Sequence, residues 1–131
     1  MRIIVGNRNL NAFQFIVVLV IILGFIIGTY DHANMILKKG LLSARPEMPI
    51  VFNIFWDTLV IGDILVILLL LKNIKIGLDL ASIIIVTDVI VNSTSVGIDY
   101  YYHRNFVMFG LFTQIPFMIF VLYYRRDFAN I

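Results

Sequence analysis

Four long runs of apolar residues alternate with short polar connections along the chain. The runs cover residues 10–30, 50–71, 76–96 and 106–124. Each has about 20 residues, the length that an α-helix needs to cross a hydrocarbon core of about 30 Å. The pattern therefore predicts four membrane-spanning helices in one transmembrane domain, residues 1–131.

The connections between the runs indicate how the helices are arranged. Residues 72–75 alone join the second and third runs, and so short a connection makes these two helices antiparallel neighbours. The sequence thus predicts an all-α, antiparallel up-down four-helix bundle. The longest connection, residues 31–49, places its apolar residues between positions 35 and 41 on one broad side. This indicates a short interfacial helix in the first outer loop, and an irregular loop is the alternative.

The first run also has some features of a secretory signal peptide, because Arg2 and Arg8 precede it. It is long for that role, however, and residues 28–31 form a poor small-residue cleavage site. Further apolar runs follow it. We therefore expect an uncleaved first helix.

The basic residues indicate the orientation of the bundle. If the N-terminus is inside, the inner ends of the helices carry Arg2, Arg8, Lys72, Lys75, Arg125 and Arg126, and the outer ends carry Lys38, Lys39, Arg45 and Arg104. Cytoplasmic loops are the richer in Lys and Arg. The sequence therefore predicts that both termini are cytoplasmic.

The composition supports a membrane protein and excludes several kinds of chemistry. The chain is 61% hydrophobic and 14% charged, whereas soluble domains are about half apolar and a quarter charged. A net charge of +2 is too small to indicate nucleic-acid binding. The absence of cysteine excludes thiol catalysis and thiolate metal sites. No nucleophile-elbow, phosphate-loop or zinc-protease motif occurs either, so we predict no catalytic residues, no metal and no cofactor.

Carboxylates inside the second and third runs are the strongest functional signal. Asp88 lies thirteen residues after Lys75, and Asp57 lies fifteen before Lys72. Both are therefore about 20 Å from the inner boundary of the membrane. Ionisable residues at such depth are costly and usually mark a functional site.

Further polar residues share faces with these two carboxylates. Asn53 lies one turn from Asp57, Asn92 lies one turn from Asp88, and Gln114 lies near the middle of the fourth run. We expect the polar faces to meet inside the bundle. They would form a pocket, open to the outer face, that binds a proton, a cation or a small polar ligand for transport or sensing. The alternative is that the same residues only hold the helices together.

A second group of residues indicates contacts between helices or between subunits. Asp63 is rotated by about 120° around the second helix from the face of Asp57. Trp56 lies on nearly the same side of that helix as Asp63. Gly24 and Gly28 match the small-xxx-small pattern of close helix contact. These positions suggest an oligomeric interaction subunit or pore-forming effector as the alternative function. A membrane enzyme using paired carboxylates for proton transfer on a lipid-like substrate is a further alternative.

The aspartate-bearing stretches, residues 55–63 and 84–89, flank the short basic turn at residues 72–75. In this arrangement the chain resembles small four-span bacterial inner-membrane proteins of unassigned function. The resemblance implies the fold and no activity. We accordingly expect a multi-pass protein of the bacterial inner (plasma) membrane, in contact with lipid, that forms a homo-oligomer or a membrane complex and binds no nucleic acid.

Overall fold

The computed structural model describes residues 1–102 and 109–130. Within them a β-hairpin precedes four α-helices, with the bounds β1 Arg2–Val5, β2 Arg8–Asn11, α1 Ala12–Lys39, α2 Ile50–Lys72, α3 Ile74–Tyr102 and α4 Phe109–Ala129. The prediction of four helices is confirmed for this part of the chain. The predicted start of the fourth run, residues 106–108, lies outside the described residues.

The hairpin is an element that the apolar pattern did not predict. Its strands are antiparallel and pair Arg2 with Asn11 and Val5 with Arg8, around a two-residue turn in which Gly6 has a φ of 56°. A side chain on Gly6 would come within 2.6 Å of the carbonyl oxygen of Lys72. The turn therefore packs directly against the end of α2, and residues 10 and 11 belong to a strand and not to the first helix.

Asn11 fixes the start of α1. Its side chain accepts a hydrogen bond of 2.8 Å from the backbone N–H of Gln14, and the Gln14 side chain accepts one of 3.0 Å from the backbone N–H of Asn11. This reciprocal capping box satisfies two N–H groups that the first helical turn leaves without partners.

Two helices extend beyond their predicted ends. The separate interfacial helix is wrong, because α1 continues to Lys39 and ends at Gly40. No Pro or Gly interrupts residues 29–39, so nothing in the sequence ends the helix where the apolar run ends. Similarly, α3 continues through Gly97 to Tyr102, since a single glycine weakens a helix without ending it.

The helices pack in chain order, with α1 on α2, α2 on α3 and α3 on α4. Helices α1 and α4 meet at few positions, among them Phe25 with Phe117, whose ring centroids are 5.8 Å apart. The main apolar core lies in the half of the bundle nearer the hairpin, where Leu10, Leu70 and Ile74 are almost fully buried. A second, smaller apolar cluster, formed by Ala44, Met48, Trp56 and Leu59, lies in the half with the polar residues.

Two helices, α1 and α2, are long and apolar enough to cross a membrane. Only 22% and 28% of their most apolar segments are buried within the protein. The central helix of a soluble protein would be mostly buried, because exposed apolar surface of this extent leads to association in water. The outward apolar faces of α1 and α2 thus fit a lipid environment better than an aqueous one.

Candidate functional site

Asn92 connects three helices through side-chain hydrogen bonds. The indole Nε1 of Trp56 on α2 donates to Oδ1 of Asn92 at 2.9 Å. Asn92 Nδ2 donates to Oδ1 of Asp88 on the same helix and to Oε1 of Gln114 on α4, each at 2.9 Å. Gln114 Nε2 in turn donates to Oδ2 of Asp88 at 3.1 Å. The Asp88 carboxyl therefore accepts one bond on each oxygen.

Asp63 of α2 is a second buried carboxyl near Asp88, and it lacks the hydrogen bonds that Asp88 makes. Its side chain is only 4% exposed, and Asp88 is its electrostatic neighbour. Among residues 1–102 and 109–130 it has no hydrogen-bond partner. A methyl group on Gly28 of α1 would come within 2.8 Å of Asp63 Oδ2. The small residue at position 28 is therefore what makes room for this carboxyl between α1 and α2.

A cavity of about 370 Å³ lies between α1 and α4 and is lined by both Asp63 and Asp88. Its wall includes Gly28 and the aromatic ring of Phe117, and it extends along α1 past His32 to Met35. The scarcity of contacts between α1 and α4 is what leaves this space. Asp31 also contributes to the lining, so the cavity brings three carboxyl groups to one space, of which Asp63 and Asp88 are buried.

A second cavity, of about 410 Å³, adjoins the first at the end of the bundle away from the hairpin. The two share His32, Met35, Gly110 and Gln114 as lining residues. The second cavity continues past Trp56 to Arg45 in the loop between α1 and α2. Together they form one cleft that leads from this loop to the buried carboxyls.

Arg45 holds the loop against α3. Its guanidinium donates to Ser95 Oγ at 3.0 Å and to Asp99 Oδ1 at 2.8 Å, and it also pairs with Glu47 at 2.7 Å. The hydrogen bond to Asp99 raises the pKa of Arg45, so the group stays charged at any ordinary pH. The pKa of Glu47 is lowered, chiefly by its own backbone N–H and also by Arg45.

Asn53 and Asp57 hold the same loop against α2. The side chain of Asn53 accepts from the Arg45 N–H at 2.8 Å and donates to the Arg45 carbonyl at 2.9 Å. Asp57 Oδ2 accepts from the backbone N–H of Leu42 at 2.6 Å. Both side chains thus form hydrogen bonds with backbone groups of the loop, which contains no helix or strand that would satisfy them.

The predicted pocket is therefore assembled differently from the expectation. The structure brings Asp88, Asn92 and Gln114 together, as the sequence suggested. The side chain of Asp57, however, points from α2 to the loop and is hydrogen-bonded there, not beside Asp88. The reason is the rotation of α2: its buried stripe is Asn53, Trp56, Leu59, Asp63, Val66 and Leu70. Asp57 falls beside this stripe, and Asp63, which the sequence assigned to helix or subunit contacts, falls within it.

The other positions assigned to such contacts lie against helices of the same chain. A methyl group on Gly24 would come within 2.3 Å of the Phe117 ring of α4. A methyl group on Gly28 would contact Asp63 of α2. Trp56 points towards α3 through its bond to Asn92. These glycines and Trp56 therefore serve close packing within the bundle.

The described part of the chain contains no group of three or more His, Asp or Glu side chains that could hold a metal ion. In this site the Asp88 carboxyl accepts two hydrogen bonds, whereas the Asp63 carboxyl accepts none from the described residues. Such a pair is suited to holding a proton or a cation.

Comparison of the chain with protein-family models, curated proteins and solved structures finds no match. The resemblance to four-span bacterial proteins stays a prediction.

Proposed function

We propose that all four helices cross a bilayer. Support comes from the distribution of polarity on α3 and α4, which is the reverse of that in a soluble protein. Ile83 and Ile90 of α3 and Ile119 of α4 are more than half exposed, whereas Asp88 is buried between helices. A bilayer favours this arrangement, because polar groups then find partners inside the bundle and apolar groups face lipid.

The hairpin end would be the cytoplasmic end. Arg8, Lys75, Arg125 and Arg126 line one cavity there, and Lys72 adjoins the hairpin turn. This concentration of basic residues follows the positive-inside rule, which would place this end inside the cell. With the resemblance to four-span bacterial proteins, we propose a multi-pass protein of the bacterial inner membrane. The cleft that leads to Asp63 and Asp88 would then open towards the outside.

Within that orientation the protein binds a proton or a small cation in its acidic cavity, in a transport or sensing role. The observation that carries this proposal is Asp63, which is 4% exposed, without a hydrogen-bond partner in the described chain, and next to Asp88. Asp63 lines the cavity, and an unpaired carboxylate in so poorly exposed a position costs several kcal/mol, roughly, so neutralisation of its charge is favoured. A proton or a cation from the cleft achieves this.

The single tryptophan of the chain provides the test. Trp56 is bonded to Asn92, which is bonded to Asp88, so charge changes in the cavity alter the surroundings of the indole. The protein in lipid nanodiscs would be titrated with acid, and separately with ethylammonium chloride, while Trp56 emission is recorded. We expect a saturable change in each titration.

Three variants decide the interpretation. Asp63→Asn and Asp88→Asn should remove or displace both transitions, because they replace the groups that bind. Asp57→Asn is the matched control on the same helix and should retain them. If all three variants titrate like the unmodified protein, the acidic cavity is not a binding site and its carboxyls are structural.

The predicted homo-oligomer has less support, because the residues assigned to it pack within the chain. It remains a prediction that the molecular mass in mild detergent would test.

A further inference from the structure

A cavity of about 440 Å³ opens at the hairpin end of the bundle, away from the acidic site. The hairpin contributes Arg8, α3 contributes Lys75, and α4 contributes Arg125 and Arg126. The only acidic residue in the described lining is Asp79. Three separate elements therefore bring four positive charges around one space.

One of these charges is already compensated. Arg125 Nε donates to Asp79 Oδ1 at 2.7 Å, and both side chains are about half exposed. Lys75 and Arg126, by contrast, have no ion-pair partner among the described residues. The lining as a whole therefore keeps a positive excess, which favours an anionic occupant.

The floor of the cavity is apolar. Its apolar lining consists of Ile74 and Leu78 of α3 and of Leu122, Phe128 and Ala129 of α4. Ile74 and Leu78 are each 1% exposed. An inorganic anion would use only the basic part of such a site. An amphiphile would use both parts, with its charged group among the basic side chains and its chain against the apolar wall.

We propose that this cavity binds the phosphate group of an anionic phospholipid. Arginine suits phosphate because its planar guanidinium can donate two parallel hydrogen bonds, and basic pockets between helices at the cytoplasmic side bind lipid headgroups. The site shares no residue with the acidic cavity, so the proposal does not depend on binding of a proton or cation there, and it rests on the proposed location in a membrane with the hairpin end inside.

The test is native mass spectrometry of the full chain in mild detergent, with phosphatidylglycerol, phosphatidylcholine or inorganic phosphate added. The test protein carries Lys75→Gln and Arg126→Gln. The control carries Arg2→Gln and Lys72→Gln, which remove the same charge from the same end of the bundle without touching the cavity lining. Circular dichroism confirms that both proteins keep their helices.

We expect the unmodified chain to bind phosphatidylglycerol more tightly than phosphatidylcholine. The test protein should lose about 25-fold in affinity for phosphatidylglycerol, since each basic residue near an anionic headgroup contributes about fivefold. The control should stay within about twofold, because its charges are further away and screened.

Two results would overturn the proposal. Equal losses in the test and control proteins would show that general surface charge attracts the lipid. Displacement of phosphatidylglycerol by an equal concentration of inorganic phosphate would show that the source is free phosphate and that the apolar wall contributes nothing.

Discussion

Replacement of Asn92 by alanine removes the side chain that joins α2, α3 and α4. Three hydrogen bonds disappear: the one from Trp56, the one to Asp88 and the one to Gln114. The bonds to Trp56 and Gln114 run between helices. The indole N–H is left without this partner in a buried position, because Trp56 is 9% exposed.

The magnitude can be worked from these contacts. Hydrogen bonds between helices in a membrane contribute about 0.6 kcal/mol on average and about 1.7 kcal/mol at most. The two bonds between helices give about 1 kcal/mol, the bond to Asp88 within α3 adds about 0.5 kcal/mol, and the unsatisfied indole N–H adds about 1 kcal/mol. Alanine is the better helix former by about 0.7 kcal/mol. The expected net loss is therefore about 2 kcal/mol, or about 30-fold in the unfolding equilibrium.

The assay is reversible unfolding in mixed micelles of mild detergent and dodecyl sulfate, followed by circular dichroism and by Trp56 emission. Thr94→Ala is the matched control on α3, because the exposed Thr94 hydroxyl bonds only the carbonyl of Ile90 within its own helix. Its free energy of unfolding should change by less than about 0.5 kcal/mol. In Asn92→Ala the folded-state emission should shift as well.

The reasoning is refuted if Asn92→Ala is as stable as Thr94→Ala and the emission of Trp56 is unchanged. The hydrogen bonds around Asn92 would then contribute nothing to the bundle.

Three further predictions test other contacts of the fold. Gly77→Ala should destabilise the protein by about 2 kcal/mol, because its methyl group would lie 2.6 Å from a backbone nitrogen of α2. Gly97→Ala on the same helix meets nothing within 4 Å and should stabilise it by about 1 kcal/mol. Unfolding changes of the same sign in the two variants would contradict the predicted contrast between these positions. Arg45→Gln should free the loop between α1 and α2, seen as faster thiol labelling of a cysteine introduced there, and an unchanged rate would contradict it. Gly28→Ala should displace Asp63 and slow its modification by a lipid-soluble carbodiimide, measured by mass spectrometry, and unaltered modification would show that position 28 does not shape the cavity.

The sequence was sufficient for the number of helices and for the packing of α2 beside α3. An apolar run of helix length is a local property, and a connection as short as residues 72–75 allows only antiparallel neighbours. It was also sufficient for the group Asp88, Asn92 and Gln114, because polar residues among apolar ones must find each other inside the bundle.

The helix ends and the hairpin needed the structure. Residues 31–39 and 97–102 extend helices beyond the runs, since an apolar pattern marks where the apolar surface ends and not where a helix stops. Each strand of the hairpin is only four residues long. Its turn is held by contact with the end of α2, which is distant in sequence.

Only the tertiary structure decided which aspartate of α2 enters the cavity. Because α2 is apolar on nearly every side, its hydrophobic pattern does not define which side faces α3. The spacing of Asn53, Trp56 and Asp63 contained a usable signal, since one stripe carries all three. What selects that stripe is the fit of two other helices, with Gly28 leaving room for Asp63 and Asn92 accepting from Trp56. Local sequence determines where a helix forms, whereas its rotation depends on partners that the chain brings close only when it is folded.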